Sequence, residues 1–140
     1  MVIKKHIGTN TYVILSKSFV DRDFNVDGNL IVGRKVYFWG DLEVSGTLEL
    51  GKSSEIRGNL TANCAILGPS TYIKGNVQVE NDLKLLDGSR IDGDVLCGGN
   101  ALIRPGVTMD HIQADGDVKL VGRVNTKRVK AGGKVVSRKS

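Results

Sequence analysis

Apolar residues recur along this chain with a period of six. Counting from Ile14, the first positions of successive hexads are Ile14, Val20, Val26, Val32, Phe38, Val44, Leu50, Ile56 and Ala62. After one deletion they continue through Leu67, Ile73, Val79, Leu85, Ile91, Cys97 and Ile103, and resume at Ala114 and Leu120. All eighteen are apolar. The fifth positions, from Ser18 and Phe24 to Val118 and Val124, are apolar or Ser/Thr throughout. Alternating spacings of four and two cannot lay a stripe on a helix, which needs steps of three and four over a long window. They suit short strands whose alternate residues face one side, joined by tight corners.

A second period of about eighteen lies over the first. Ile56-Arg57-Gly58-Asn59-Leu60 recurs as Ile73-Lys74-Gly75-Asn76-Val77 and as Ile91-Asp92-Gly93-Asp94-Val95. Phe38-Trp39-Gly40-Asp41-Leu42 is an earlier copy and Ala114-Asp115-Gly116-Asp117-Val118 a later one. A fixed internal period is the mark of a repeat architecture. Three hexads per coil predict an all-β, single-domain, three-sided parallel β-helix of about six coils over residues 14–125, flanked by an N-terminal tail, 1–13, and a basic C-terminal tail, 126–140. Inward Val, Leu and Ile stack from coil to coil, each contributing roughly 1.5–3 kcal/mol. Glycine with Asn or Asp at hexad positions three and four predicts corners that use φ > 0. Ser54, Thr71 and Ser89 fall one coil apart and predict a ladder of small hydroxyls inside one corner. The deletion between Ala62 and Ala65 predicts a tightened corner, and the break in period near Thr108-Met109-Asp110-His111 an inserted loop of about five residues. Cys64 and Cys97, two coils apart, would be separated by roughly 9–10 Å at the spacing of β-strands, beyond disulfide reach.

The recurring Ile-x-Gly-Asn/Asp-Leu/Val unit, from about Val26 to Val124, resembles the bactofilin family of polymer-forming cytoskeletal proteins. The resemblance implies a right-handed helix, a handedness that the period alone does not fix. It also implies nucleotide-independent assembly, through the helix ends, into nonpolar filaments. The resemblance further implies filaments that, as often in that family, lie on the inner membrane surface and scaffold cell-wall or shape-determining enzymes.

Composition fits a structural protein. Aromatics are 5% of the chain against 18 glycines. Residues 1–6 carry no apolar core of a secretory signal and no apolar run reaches a membrane span, so the expected place is the cytoplasm. Two cysteines outside any CxxC pair and two histidines, His6 and His111, make no zinc pattern. Gly98-Gly99-Asn100 is a corner of the repeat, since no Gly-Lys-Ser/Thr follows a strand. No catalytic residue, cofactor or metal is expected. A hexad helix also occurs in trimeric left-handed acyltransferases, where His111 would be the candidate base, but no orienting partner can be named for it. A monomeric binding module using one flat face is a third possibility.

Both ends of the expected helix are apolar. Ile14, Phe19, Val20 and Phe24 at one end, and Leu120, Val121 and Val124 at the other, are the expected polymer contacts. The alternative is that the two tails fold over the ends. The net charge is +5, and no acidic residue follows Asp117. Lys4, Lys5, Lys127, Arg128, Lys130, Lys134, Arg138 and Lys139 could meet an anionic lipid surface. No aromatic interleaves these charges, as stacking on single-stranded nucleic acid needs, so no nucleic-acid partner is expected. The expected partners are the chain itself, a membrane surface and a scaffolded client. Tyr37 and Trp39 flank inward Phe38 and should point outward.

Overall fold

The computed structural model describes residues 3–139, with side chains from residue 8 onward. Nearly every strand pairs in parallel with its equivalents one coil before and one coil after. The result is a three-sided β-solenoid. Face 1 stacks β2 (Thr11–Ile14), β5 (Asn29–Val32), the second half of β7 (Leu42–Leu50), the second half of β9 (Leu60–Leu67), β12 (Leu83–Leu85), β15 (Ala101–Ile103), β18 (Val118–Val121) and β20 (Val135–Arg138). Face 2 is a six-stranded sheet of β3 (Phe19–Val20), β6 (Tyr37–Phe38), β8 (Glu55–Ile56), β10 (Tyr72–Ile73), β13 (Arg90–Ile91) and β16 (Thr108–Met109), extended by a bridge from Thr108 to Asn125. Face 3 stacks β4 (Phe24–Val26), the first halves of β7 and β9, β11 (Val77–Val79), β14 (Val95–Cys97), β17 (His111–Ala114) and β19 (Arg128–Ala131). Before them, β1 (Ile3–His6) pairs antiparallel with β2.

Burial follows the hexad. Val77 and Val79 are buried with Gln78 exposed between them, and Leu83, Lys84 and Leu85 repeat the alternation. The core is one continuous column from Ile14 to Val118, with Phe38 as its only fully buried aromatic among the described residues. Each coil contributes few inward residues, so the solenoid is held by contacts between neighbouring coils rather than by a central globule.

The three corners differ in chemistry. Corner 1, between faces 1 and 2, uses the left-handed backbone: Lys17, Lys35, Ser53 and Ser70 have φ of 54–64°, and Gly88 and Gly106 follow in the same place at 72° and 80°. Corner 2, between faces 2 and 3, does not need it. Its glycines are there because coils lie so close. A Cβ on Gly75 would collide with the Gly58 carbonyl and with Asn59 Oδ1 of the preceding coil, and Gly58 and Gly93 stand in the same relation to Asp41 and Asn76. The expectation of φ > 0 is therefore corrected for the Gly-Asx pairs of corner 2, while Gly28, beside Asn29 at the corner between faces 3 and 1, and Gly88, after Asp87 at corner 1, do adopt it, at 139° and 72°. The Asx residues serve the next coil: Asp23, Asp41, Asn59 and Asn76 each accept, through Oδ1, the N–H of Asp41, Asn59, Asn76 and Asp94 at 2.7–2.9 Å. Corner 3, between faces 3 and 1, carries a second such ladder, with Asp82, Asn100 and Asp117 accepting from Asn100, Asp117 and Lys134. Gly and Asx recur together because the Oδ1 of an Asp or Asn fits over a residue without a side chain.

Two further expectations need revision. Near residue 109 there is no inserted loop. Met109 and Ile112 both point inward, three residues apart where Ile91 and Val95 are four apart, so corner 2 is one residue shorter there. The coil of β9 is shortened similarly at corner 3, between Ala62 and Ala65. The supposed tails are also structured: residues 11–13 and 128–138 form rungs, so face 3 has seven rungs rather than six. Val129 and Ala131 continue the inward pattern seventeen residues after Ile112 and Ala114, because the last coil repeats the shortened corner 2, so a period of six resumed at Ala114 passes them by. Ser54, Thr71 and Ser89 stack inside corner 1 as expected, each 1% exposed. Ser54 and Thr71 donate to the carbonyls of Gly33 and Gly68, and Ser89 Oγ has no partner.

Candidate functional site: the solenoid tips

A solenoid ends where a coil has no successor, and its last strands leave N–H and C=O groups unpaired. The two tips of this chain are unlike each other. At the N-terminal tip, β3 and β4 have free edges on faces 2 and 3, while β1 covers the edge of β2 on face 1. At the C-terminal tip, β19, β20 and the segment at Asn125 all have free edges.

The expected contact residues fall unevenly on these tips. Val20 and Phe24 point inward in the first coil, and Phe24 packs against Phe38 with centroids 6.3 Å apart. Ile14 is wholly buried and lies beneath β1 rather than on an open edge. Phe19 points outward on face 2, where it meets Trp39 edge-on at 4.9 Å, so it belongs to the side of the helix. Leu120 and Val121 lie one rung inside the C-terminal tip, paired with Ser137 and Arg138 of β20. Val124 is half-buried in the last coil and packs on the core. The inward residues at the very end are Val129, Ala131 and Val135, the last 51% exposed. A sequence count carried past Val124 at the shortened spacing would have found them.

The basic residues also change place. Lys127 and Arg128 stand at corner 2, Lys130 on face 3, Lys134 at corner 3, and Arg138 and Lys139 beside Arg123 at corner 1. They form the rim of the last coil instead of a free tail. Lys127 reaches Asp110 of the coil below at 3.9 Å. Lys4 and Lys5 lie on β1, and their side chains fall outside the described residues, as does that of His6.

Other candidates resolve as features of the sides. His111 sits on an exposed rung of face 3, not in a loop, with Nδ1 3.4 Å from Asp94 Oδ1. Cys64 and Cys97 are both free; Cys64 opens a face 1 strand and Cys97 points inward from face 3. Burial pushes the Cys97 thiol above its ordinary range, which lowers its reactivity. Trp39 does point outward, half-exposed, with the Arg57 guanidinium 4.5 Å from its ring centre. Further along face 2, the Tyr72 hydroxyl donates to the Asp92 carboxylate, which also accepts from Arg90 Nε at 2.9 Å. The Tyr72 bond holds Asp92 below the usual carboxylate range and raises Tyr72. Among the described residues, no group of three or more His, Cys, Asp or Glu side chains could hold a metal ion, and no helix is long and apolar enough to cross a membrane.

Comparison with curated proteins and with solved structures finds no match in either set. A family model does match, over residues 12–110: bactofilin, polymer-forming cytoskeletal. The match spans β2 to the end of β16, more than half of the chain, and the parallel solenoid with two open-edged tips is a form suited to polymerisation. The chain belongs to the bactofilin family of polymer-forming cytoskeletal proteins.

Proposed function

We propose that this chain assembles end to end, tip on tip, into nonpolar filaments without nucleotide, and that the filaments scaffold membrane-associated or cell-wall and shape-determining proteins from the cytoplasmic side. The observation that carries the proposal is the C-terminal tip, where all three faces end in unpaired strand edges around Val129, Ala131 and the half-exposed Val135. Stacking a second copy there pairs those edges and buries those side chains, two gains that no side of the helix offers at once. Half-buried Phe24, packed beside the almost fully buried Val20, supplies the apolar contact of the other tip, where β1 must share or vacate the edge on face 1. Lys4 and Lys5, with the basic rim, are the contacts for an anionic membrane surface, an attraction of about 1 kcal/mol per charge near the surface.

Negative-stain microscopy of the purified chain without nucleotide tests this. Filaments one solenoid wide are expected, and Val135→Arg, which sets a charge on the terminal edge, should shorten them while circular dichroism stays unchanged. Discrete trimers would favour the acyltransferase-like alternative, and filaments indifferent to Val135→Arg would remove the C-terminal tip from the contact.

A further inference from the structure

The rim of the C-terminal tip is charged all the way round. From Val118 onward the chain has eight Lys and Arg residues and no Asp or Glu. Every corner of the last coil holds some of them: Arg123, Arg138 and Lys139 at corner 1, Lys127 and Arg128 at corner 2, Lys134 at corner 3. Lys130 adds another on face 3. At corner 1, Arg123, Arg138 and Lys139 line, with Gly122 and Ser137, a hollow of about 560 Å³ with no Asp or Glu among its described lining residues. The rim lies beyond residue 110, outside the stretch that the family model matches.

This rim surrounds the edge that stacking must use. Two C-terminal tips brought together oppose one cationic ring to another, whatever the rotation between them, because no corner is free of positive charge. Rungs in contact are about 4.8 Å apart, well inside the screening length of about 8–10 Å at ordinary salt. The N-terminal tip is different. Its first coil carries Asp21, Asp23 and Asp27 beside Lys17 and Arg22, with Asp21 and Arg22 paired at 3.2 Å.

We propose that the C-terminal rim binds polyvalent, phosphate-type anions, and that such an anion bridges two C-terminal tips into a joint. Shared between the rings, the anion turns their repulsion into attraction, since each negative charge faces cations of both copies. Because the joint exists only if tips stack, the idea stands on the assembly proposed above. The probe is inorganic tripolyphosphate, compared with sodium chloride at equal ionic strength. Analytical ultracentrifugation and negative-stain microscopy of the full chain read the outcome.

Tripolyphosphate should raise the sedimentation coefficient and lengthen the assemblies at low salt, and sodium chloride should do so much less. The variant Lys127→Gln/Arg128→Gln/Lys130→Gln/Lys134→Gln should assemble without the anion and lose the response to it. All four side chains lie on the outer rim, so the solenoid should keep its circular dichroism spectrum. If tripolyphosphate dissolves assemblies of the parent chain, the basic tip meets the mixed-charge tip of the next copy and the bridged joint is wrong. If parent and variant assemble alike and ignore tripolyphosphate, stacking survives and the anion joint does not. If neither exceeds a monomer at any anion concentration, end stacking itself fails and takes the joint with it.

Discussion

Gly75→Ala and Gly88→Ala form a pair of substitutions that separates two reasons for a corner glycine. Gly75 has no left-handed φ, but its missing side chain makes room for the coil below. An added Cβ would lie 2.7 Å from the Gly58 carbonyl carbon and closer still to that carbonyl's oxygen and to Asn59 Oδ1. An ordinary contact is near 3.5–4.0 Å, so the two coils must part by most of an ångström at a place where Gly75 N–H also donates to Gly58 O at 3.1 Å. Overpacking of this kind costs about 3 kcal/mol. Gly88 is the reverse case: its φ is 72°, and an added Cβ meets nothing nearer than Ser70 Oγ at 3.7 Å. Its cost is the backbone penalty alone, about 1–2 kcal/mol. Urea unfolding followed by circular dichroism, at protein concentrations where only monomer sediments, should rank Gly75→Ala as clearly the worse. Adding Asn59→Ala should relieve Gly75→Ala only partly, because the Gly58 carbonyl remains. Gly88→Ala costing as much as Gly75→Ala, or Asn59→Ala restoring full stability, would refute the close-packed corner.

Four other outcomes follow from the same geometry. Ser53 holds φ of 60° at corner 1, so Ser53→Gly should raise the unfolding free energy by about 1 kcal/mol or slightly less, relief of backbone strain offset by the entropy of glycine in the unfolded chain; a loss of stability would contradict it. Ser89 Oγ is buried without a partner, so Ser89→Ala should stabilise by about 1 kcal/mol, read by the midpoint of urea unfolding. Asp92 is held below the usual carboxylate range by Tyr72, so the stability it adds is present above the ordinary carboxylate pKa and lost as pH falls through its lowered folded value; in Tyr72→Phe, an NMR titration should find Asp92 moved back up. Removing residues 1–9 uncovers the edge of β2 on face 1, and longer filaments are expected by microscopy, with unchanged lengths counting against β1 as a cover.

Much of the fold was legible because one spacing rule governs nearly every inward residue. The inward positions Ile56, Ile73 and Ile91 are spaced as a single column requires, and each is buried. The count failed where one corner loses a residue. Met109 keeps the period, six residues after Ile103, but between Met109 and Ile112 the chain turns in three steps. The last coil repeats that short turn, with Val129 and Ala131 paired to Ile112 and Ala114 seventeen residues earlier, so a period of six loses the inward residues of 126–140. Periodicity also reports which way a side chain points and not where the ladder stops, so it puts Leu120 and Val121 at a tip that β20 covers. Apolar character alone puts Phe19 at the tip, although its neighbour Val20 holds the inward position. The basic rim was visible as charge but not as a ring, because only the winding of the last coil carries Arg123, Arg128 and Lys134 to three different corners. The close packing behind the corner 2 glycines is not legible, because contact between coils eighteen residues apart leaves no local signature in the sequence.

Cryo-electron microscopy of the assembled chain, at a resolution that separates rungs, tests tip-to-tip assembly most directly. The expected map shows β-rungs about 4.8 Å apart running without interruption from one copy into the next, with Val129 and Val135 enclosed at a joint. A map in which copies touch through their flat faces while β19 and β20 face solvent would contradict the account.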